Sequence, residues 1–347
     1  MNTAIIGCGL IGRKRALALS PEDKLTACCD VNIEIADKFS KDFGISYFTD
    51  YKELLNNTGC EAVVVSVINK FAKEIIIESI KRGKNVIAEK PLGRNFDEAE
   101  QIYSASQSLQ VSQSPIPPIP RSPILKVGFN HRFHPAVWKA KQMSDRGQIG
   151  KIFSIRGRYG HGGRPGMENE WRASKDLCGG GELLDQGVHM IDLIRWFGGE
   201  ISEVCGKAET KFWNMEVEDN ASAILKTIND VTATFNVSWT NWKNIFSFEV
   251  FGTEGYVRIE GLGGSYGAET LEFGKRKKEG GRPDIETFEF LPEDVSWENE
   301  WKEFKDACEK GREPIGSGYD GMKANEVIDA IYTSDKENRT ISLKPTR

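Results

Sequence analysis

Residues Gly179–Asp192 read GGGELLDQGVHMID, an apolar run behind three glycines that carries Asp185, His189 and Asp192. Residues four apart share one face of an α-helix. The spacing therefore predicts a helix on which Asp185 and His189 sit together, with Asp192 one turn further on. A carboxylate beside an imidazole fixes its tautomer and supports its protonated form, as a general acid–base near neutral pH requires. The chain has four histidines, and His189 alone is flanked in this way. A core histidine satisfied by a helix neighbour has the same local signature, so the choice between the two rests on the rest of the chain.

A second constellation lies near the start. Gly7-Cys8-Gly9-Leu10-Ile11-Gly12 matches GxGxxG between a strand pattern and a helix pattern, which is the context that gives the motif meaning. Gly7 permits the tight turn, Gly9 lets a pyrophosphate approach the backbone, and Gly12 lets helix and strand pack closely. The helix N-terminus at Leu10 and Ile11 turns free N–H groups toward the phosphates. Asp30 ends the second strand pattern 18 residues after Gly12, close to the ~20-residue offset of the acid that bonds the adenosine ribose. A carboxylate there accepts from both ribose hydroxyls and repels a 2′-phosphate, so the expected cofactor is NAD, with NADP disfavoured. Glu89-Lys90-Pro91 follows the fifth strand pattern. Ligands bind at the carboxyl ends of parallel strands, which places Lys90 well for chemistry.

The elements that must carry these residues follow from periodicity. Strand patterns at Thr3–Cys8, Lys24–Asp30, Tyr47–Phe48, Ala62–Ile68, Asn85–Ala88 and Leu125–Phe129 alternate with helix patterns over Ile11–Leu19, Ile33–Phe43, Ile75–Arg82 and Phe96–Leu109. Repeated β-α units predict a parallel, doubly wound sheet. Beyond it, strands are expected at Lys151–Tyr159, Glu203–Phe212, Ala221–Ile228, Val231–Thr240, Phe246–Phe251 and Tyr256–Ile259. With few helices between them, these predict an antiparallel or mixed sheet. Gly261–Pro283 reads as loop around one short strand, and Ser296–Lys310 and Met322–Ser334 read as helices. Pro115–Pro123 holds five prolines in nine residues, which excludes helix and predicts a surface loop or assembly contact.

Composition narrows the function classes. A chain of 347 residues predicts two domains, set at residues 1–125 and 126–347, with a C-terminal helix able to pack back on the first. A net charge of -5 gives no electrostatic case for nucleic acid or an anionic membrane. The longest apolar run, Ala62–Ile68, is too short to span a bilayer, and no signal-peptide pattern fits the start. Seven scattered cysteines without a CxxC spacing suggest free thiols in a reducing cytoplasm and no metal site.

The order of motifs is specific. An EKP tripeptide at Glu89–Pro91 after the glycine loop, then GFNHRFHP at Gly128–Pro135, then GGGELLDQGVH resembles the Gfo/Idh/MocA family of oxidoreductases over essentially the whole chain. The resemblance implies an N-terminal Rossmann domain and a C-terminal α/β domain with a large, mostly antiparallel open sheet. It implies a homodimer or homotetramer formed through that sheet, and an active site between the domains. It places the family's lysine on Lys90 and its D-x-x-x-H pair on Asp185 and His189. The chain departs from the family where a Pro-Asn-x-x-His stretch is common. Here Asn69 is kept, as a cofactor contact, but the proline and histidine are not.

The expected chemistry is hydride transfer between nicotinamide and a secondary alcohol or ketone of a sugar, cyclic polyol or nucleotide-linked sugar. His189 moves the hydroxyl proton, Lys90 steadies the substrate oxygen, and Asp185 orients the hydroxyl or the imidazole. Glu89 joins the cofactor contacts. Asn130, Arg132, Trp171 and Arg172 are further substrate candidates, through aromatic stacking and anion pairing. His131, His134 and His161 read as surface or packing residues, and Asp192 as a structural one. The competing readings are a reductase of a non-sugar keto or imine group, and a non-catalytic NAD-binding regulator.

Overall fold

The computed structural model describes residues 1–108 and 122–344. The proline-rich stretch therefore lies outside the described residues, apart from Ser122 and Pro123. The chain divides into two compact units. The first comprises Met1–Phe129 and Trp297–Lys323, the second Asn130–Ser296 and Ala324–Arg347.

The first unit alternates β1 (Asn2–Ile6), α1 (Leu10–Leu17), β2 (Lys24–Cys29), α2 (Ile33–Phe43), β3 (Ser46–Phe48), α3 (Tyr51–Asn57), β4 (Ala62–Val65), α4 (Asn69–Lys81), β5 (Asn85–Ala88), α5 (Phe96–Ser108) and β6 (Leu125–Val127). The strands pair in the order β3-β2-β1-β4-β5-β6, all parallel. This is the dinucleotide-binding order, with its reversal between β1 and β4. Every residue of β4 is buried, as a strand covered on both faces requires. The α3 helix was absent from the sequence reading, although Asp50 caps it by accepting the Lys52 N–H at 2.7 Å.

The late segment supplies this unit's last layer. Trp301 and Phe304 pack in one core with Ile5, Cys28, Phe39, Val64 and Ile87. Beside that core lies a buried charge network. Arg15 donates to Glu89 and to Glu300, each at 2.6 Å, and Lys126 lies 3.2 Å from Glu303. The guanidinium of Arg15 also sits 4.5 Å over the Trp297 ring. Its partners hold its proton even more firmly than usual, against burial that acts the other way.

The second unit holds α6 (Pro135–Asp145), β7 (Ile152–Gly160), α7 (Lys175–Cys178), α8 (Val188–Gly198), β8 (Ile201–Glu209), β9 (Asn220–Thr227), β10 (Thr232–Ser238), β11 (Ile245–Gly252), β12 (Gly255–Glu260), β13 (Thr270–Lys275) and β14 (Asp284–Glu289). Two helices follow, α9 (Ser296–Lys310) and α10 (Gly318–Glu337), then β15 (Ile341–Ser342); α9 falls almost wholly in the first unit and α10 is divided between the two. The sheet order is β14-β13-β12-β11-β7-β10-β9-β8-β15, antiparallel except for the β7–β10 pair.

One face of this sheet is buried. Ile155, Ala223, Leu225, Ala233 and Phe235 point inward, and α8 packs across β7. The alternate residues, among them Arg156, Arg158, Thr234 and Ile224, face outward. The α6 helix, which the sequence reading omitted, begins on Pro135 as its first residue and packs on β12 and β13. β14 was also missed; its residues are largely exposed, so no apolar alternation marked it. No helix among the described residues is long and apolar enough to cross a membrane.

Candidate functional site

The glycine loop is built by close contact. Gly7 takes φ +98°, donates its N–H to the Cys29 carbonyl at 2.8 Å, and leaves no room for a side chain, since a Cβ would stand 2.5 Å from the Ser66 carbonyl oxygen. A Cβ on Gly12 would stand 2.0 Å from the Gly7 carbonyl oxygen, so only glycine lets α1 lie this close to β1. Gly9, by contrast, meets open space and forms the N-cap of α1 with no side-chain cap. Leu10 and Ile11 open the helix, and its first turn carries no acidic residue. Asp30 follows β2 and accepts from the Cys8 N–H at 3.0 Å and the Asn32 N–H at 2.9 Å. Each carboxylate oxygen keeps a further lone pair for a hydroxyl donor. An uncapped helix start, a cradle without side chains and a carboxylate at the second strand's end together fit a dinucleotide.

At the end of β5, Glu89 is engaged by Arg15, and the two side chains crowd Gly128. Lys90 follows, half-buried, and joins Pro91 through a cis peptide bond. Asn69 begins α4 just beyond β4.

In the second unit the D-x-x-x-H segment differs from the expected continuous α-helix. Leu183–Gly187 forms a π-helical turn, and only from Val188 does α8 run as an α-helix. A distant carboxylate caps the start of this turn. Glu218 accepts the N–H groups of Gly181 and Leu183, both at 3.0 Å, and the Tyr332 hydroxyl at 2.9 Å. A side chain on Gly181 would collide with the Glu218 carbonyl oxygen at 1.9 Å, so the glycines before the turn allow this approach. Burial pushes the Glu218 carboxyl above its usual range despite these donors.

Asp185 in the turn and His189 at the start of α8 meet different neighbours. The Asp185 carboxylate meets the Arg172 guanidinium at 3.4 Å, both partly exposed. Arg172 in turn lies 4.4 Å over the Trp171 ring, so these three candidates are brought together. His189 is 4% exposed and lies flat on His131, with ring centroids 3.7 Å apart and planes 15° apart. Tyr159 stands edge-on to both rings, and its own ring lies 5.0 Å from that of Tyr266. Burial raises both phenols, Tyr159 well above the usual range and Tyr266 to about 12.

Of the two readings left open for His131 and His134, surface or packing, burial selects packing: they are 5% and 2% exposed. His134 Nδ1 lies 3.1 Å from Glu269, and the His131 ring is part of the His189 environment. No local pattern marked His131, because its partner lies 58 residues along the chain. His161 is half-buried, and burial lowers its pKa. The other two substrate candidates make internal contacts. Asn130 Nδ2 donates to Ser296 Oγ at 3.0 Å, and Arg132 is bound by Asp192.

Comparison with known proteins decides the family. The profile described as "Oxidoreductase family, NAD-binding Rossmann fold" matches residues 1–114, and the "GFO/IDH/MocA C-terminal domain" matches residues 137–258. The chain belongs to the Gfo/Idh/MocA family. This member's first unit is accordingly an NAD-binding Rossmann fold in an oxidoreductase. It is 28% identical to the levoglucosan dehydrogenase of Pseudarthrobacter phenanthrenivorans, in an alignment that covers 74% of this chain and 73% of that protein. It is 23% identical to the glucose-6-phosphate 3-dehydrogenase of Bacillus subtilis, over 98% of this chain and 97% of that one. A solved levoglucosan dehydrogenase in complex with NADH superposes with a TM-score of 0.86 over 100% of both chains at 24% identity, a likeness of fold. The expected fold class and family are both borne out.

Proposed function

We propose that this family member is an NAD-dependent dehydrogenase or reductase acting on a secondary alcohol or ketone of a sugar, cyclic polyol or nucleotide-linked sugar. The buried His189, backed by an aromatic wall and one turn beyond Asp185, is the observation that carries the reading. Its support comes from the dehydrogenase names of the relatives, among them levoglucosan and scyllo-inositol dehydrogenases.

Gly7, Gly9, Leu10, Ile11, Gly12 and Asp30 hold the dinucleotide, with Asn69 and Lys90 at the neighbouring strand ends. Bound NAD accepts or returns the hydride. Asp30 selects NAD over NADP through its charge. Glu89 acts by holding the segment before Lys90, since its carboxylate is engaged by Arg15. Lys90 steadies the substrate oxygen as negative charge develops on it. His189 takes the hydroxyl proton in oxidation and returns it in reduction. Asp185 and Arg172 orient the substrate hydroxyls, and Trp171 offers a face to the sugar ring. Asn130 and Arg132 serve the site by holding its wall.

We also propose that the outward face of the large sheet joins copies of the chain into a dimer or tetramer. A shallow depression there is lined by Arg156, Arg158, Glu249, Arg258 and Glu260, which offers charges of both signs to a symmetric partner. Seven free cysteines suit a reducing cytoplasm.

The test is a substrate panel of levoglucosan, scyllo-inositol, glucose 6-phosphate and a nucleotide-linked keto sugar, followed by NADH absorbance. Steady turnover with any member supports the reading. Tight NADH binding without turnover of the panel favours the regulator.

A further inference from the structure

The His131 ring has a defined hydrogen-bond direction. The Asp294 carboxylate can only accept, so Ser296 donates its hydroxyl to it at 2.5 Å. The Ser296 oxygen then accepts the Asn130 amide N–H at 3.0 Å. This turns Asn130 Oδ1 toward His131, and the His131 Nδ1, 3.2 Å away, must be the donor. Neutral His131 is thereby held with its proton on Nδ1, at the end of a chain that terminates in a carboxylate. A proton added to its other nitrogen keeps every bond of the chain and gains the distant negative charge of Asp294.

His189 lies flat on this ring at 3.7 Å, and both are buried. Two imidazoles in face contact away from water cannot readily both be charged. Repulsion and desolvation act together on the second proton. The other titratable groups around the pair are Tyr159 and Tyr266 on one side, and Glu182, Asp185 and Arg172 at the turn before α8. Arg132–Asp192 and His134–Glu269 complete the surroundings. Arg132 and Asp192 neutralise each other, and Asp185 meets Arg172.

We propose that His131 is a positioning residue for His189: it fixes the ring plane by face contact and takes the pair's first proton, so that His189 remains the neutral base at neutral pH. The proposal rests on His189 being the proton acceptor of the proposed reaction.

The test is a pH titration of the histidine Cε1–H signals by NMR, which has only four histidines to resolve. In the wild-type protein, His131 and His189 are expected to titrate in steps more than about one pH unit apart, with His189 the lower. His131→Phe keeps a buried ring face but carries no proton. In this variant the His189 midpoint should rise by about one unit or more, and the acid limb of kcat/KM for alcohol oxidation should rise with it. Should His131→Phe not fold, Ser296→Ala breaks the chain to Asp294 and should raise the His189 midpoint by a smaller amount. A wild-type His131 that titrates below His189, or a His189 midpoint unmoved or lowered in the variants, overturns the proposal. Near-wild-type turnover by His189→Gln would instead overturn the role given to His189, and leave the pair's titration to be decided by the spectra.

Discussion

Arg132 donates from Nε and Nη2 to the two carboxylate oxygens of Asp192, at 2.8 and 2.6 Å, with both side chains buried. This fork ties the 3-10 turn Asn130–Phe133 to the first turns of α8. His131 precedes Arg132 and His189 lies three residues before Asp192, so the fork joins the two segments that carry the stacked imidazoles. The guanidinium is further covered by the Trp196 ring at 5.2 Å.

Removing one partner of such a pair strands a buried charge. Asp192→Ala is expected to lower unfolding stability by about 3–5 kcal/mol, read by urea denaturation. Activity should fall with it, because the histidine stack loses its register. A loss below about 1 kcal/mol would place Arg132 among solvated surface charges instead.

In the proposed function, cofactor choice rests on Asp30. Asp30→Ser removes the charge that repels a 2′-phosphate, while a hydroxyl can still accept from the neighbouring N–H groups. Wild-type protein should bind NADH more tightly than NADPH by fluorescence titration. The variant should reduce that ratio at least about tenfold, as the loss of one charged hydrogen bond implies. Equal binding of the two cofactors by the wild-type protein would remove Asp30 from this role.

Much of this architecture is legible in the chain. The β-α alternation, the glycine loop and Asp30 announce the first unit, because parallel strands buried on both faces are continuous apolar runs. Strand alternation in β7 to β12 shows the second sheet for the same kind of reason. The site's finer shape is set by distant contacts. Four-residue spacing from Asp185 to His189 implies an α-helix, yet Leu183–Gly187 forms a π turn whose start is capped by the distant Glu218. His131 reads as a surface or packing residue in NHRFHP, and its stacking on His189 comes from a contact 58 residues along the chain. Pro135, as first residue of α6, is a local start signal for that helix.

A third expectation concerns acid stability. Burial alone would raise the Asp219 carboxyl. The N–H groups of Lys211, Phe212 and Trp213, each donating at 2.8 Å, and the Asn220 amide outweigh it, leaving its pKa below the usual value. A lowered folded-state pKa contributes stability that is full above the unfolded value, 3.8, and is lost as pH falls through the folded one. Asp219→Ala should therefore cost about 1 kcal/mol at neutral pH, since it removes the acceptor of several partly buried donors. The gap to wild type should narrow in acid. A gap that stays constant down through the carboxylate range would show that charge at Asp219 contributes nothing.

The proposed reaction turns on His189 as the group that moves the substrate proton. Its most direct measurement is kcat for His189→Ala against wild type, with the best substrate of the panel and saturating NAD. The expected result is a loss of roughly 10²–10⁴-fold, with NADH affinity unchanged. Turnover within about threefold of wild type, where general acid–base catalysis predicts at least about a hundredfold loss, would contradict it.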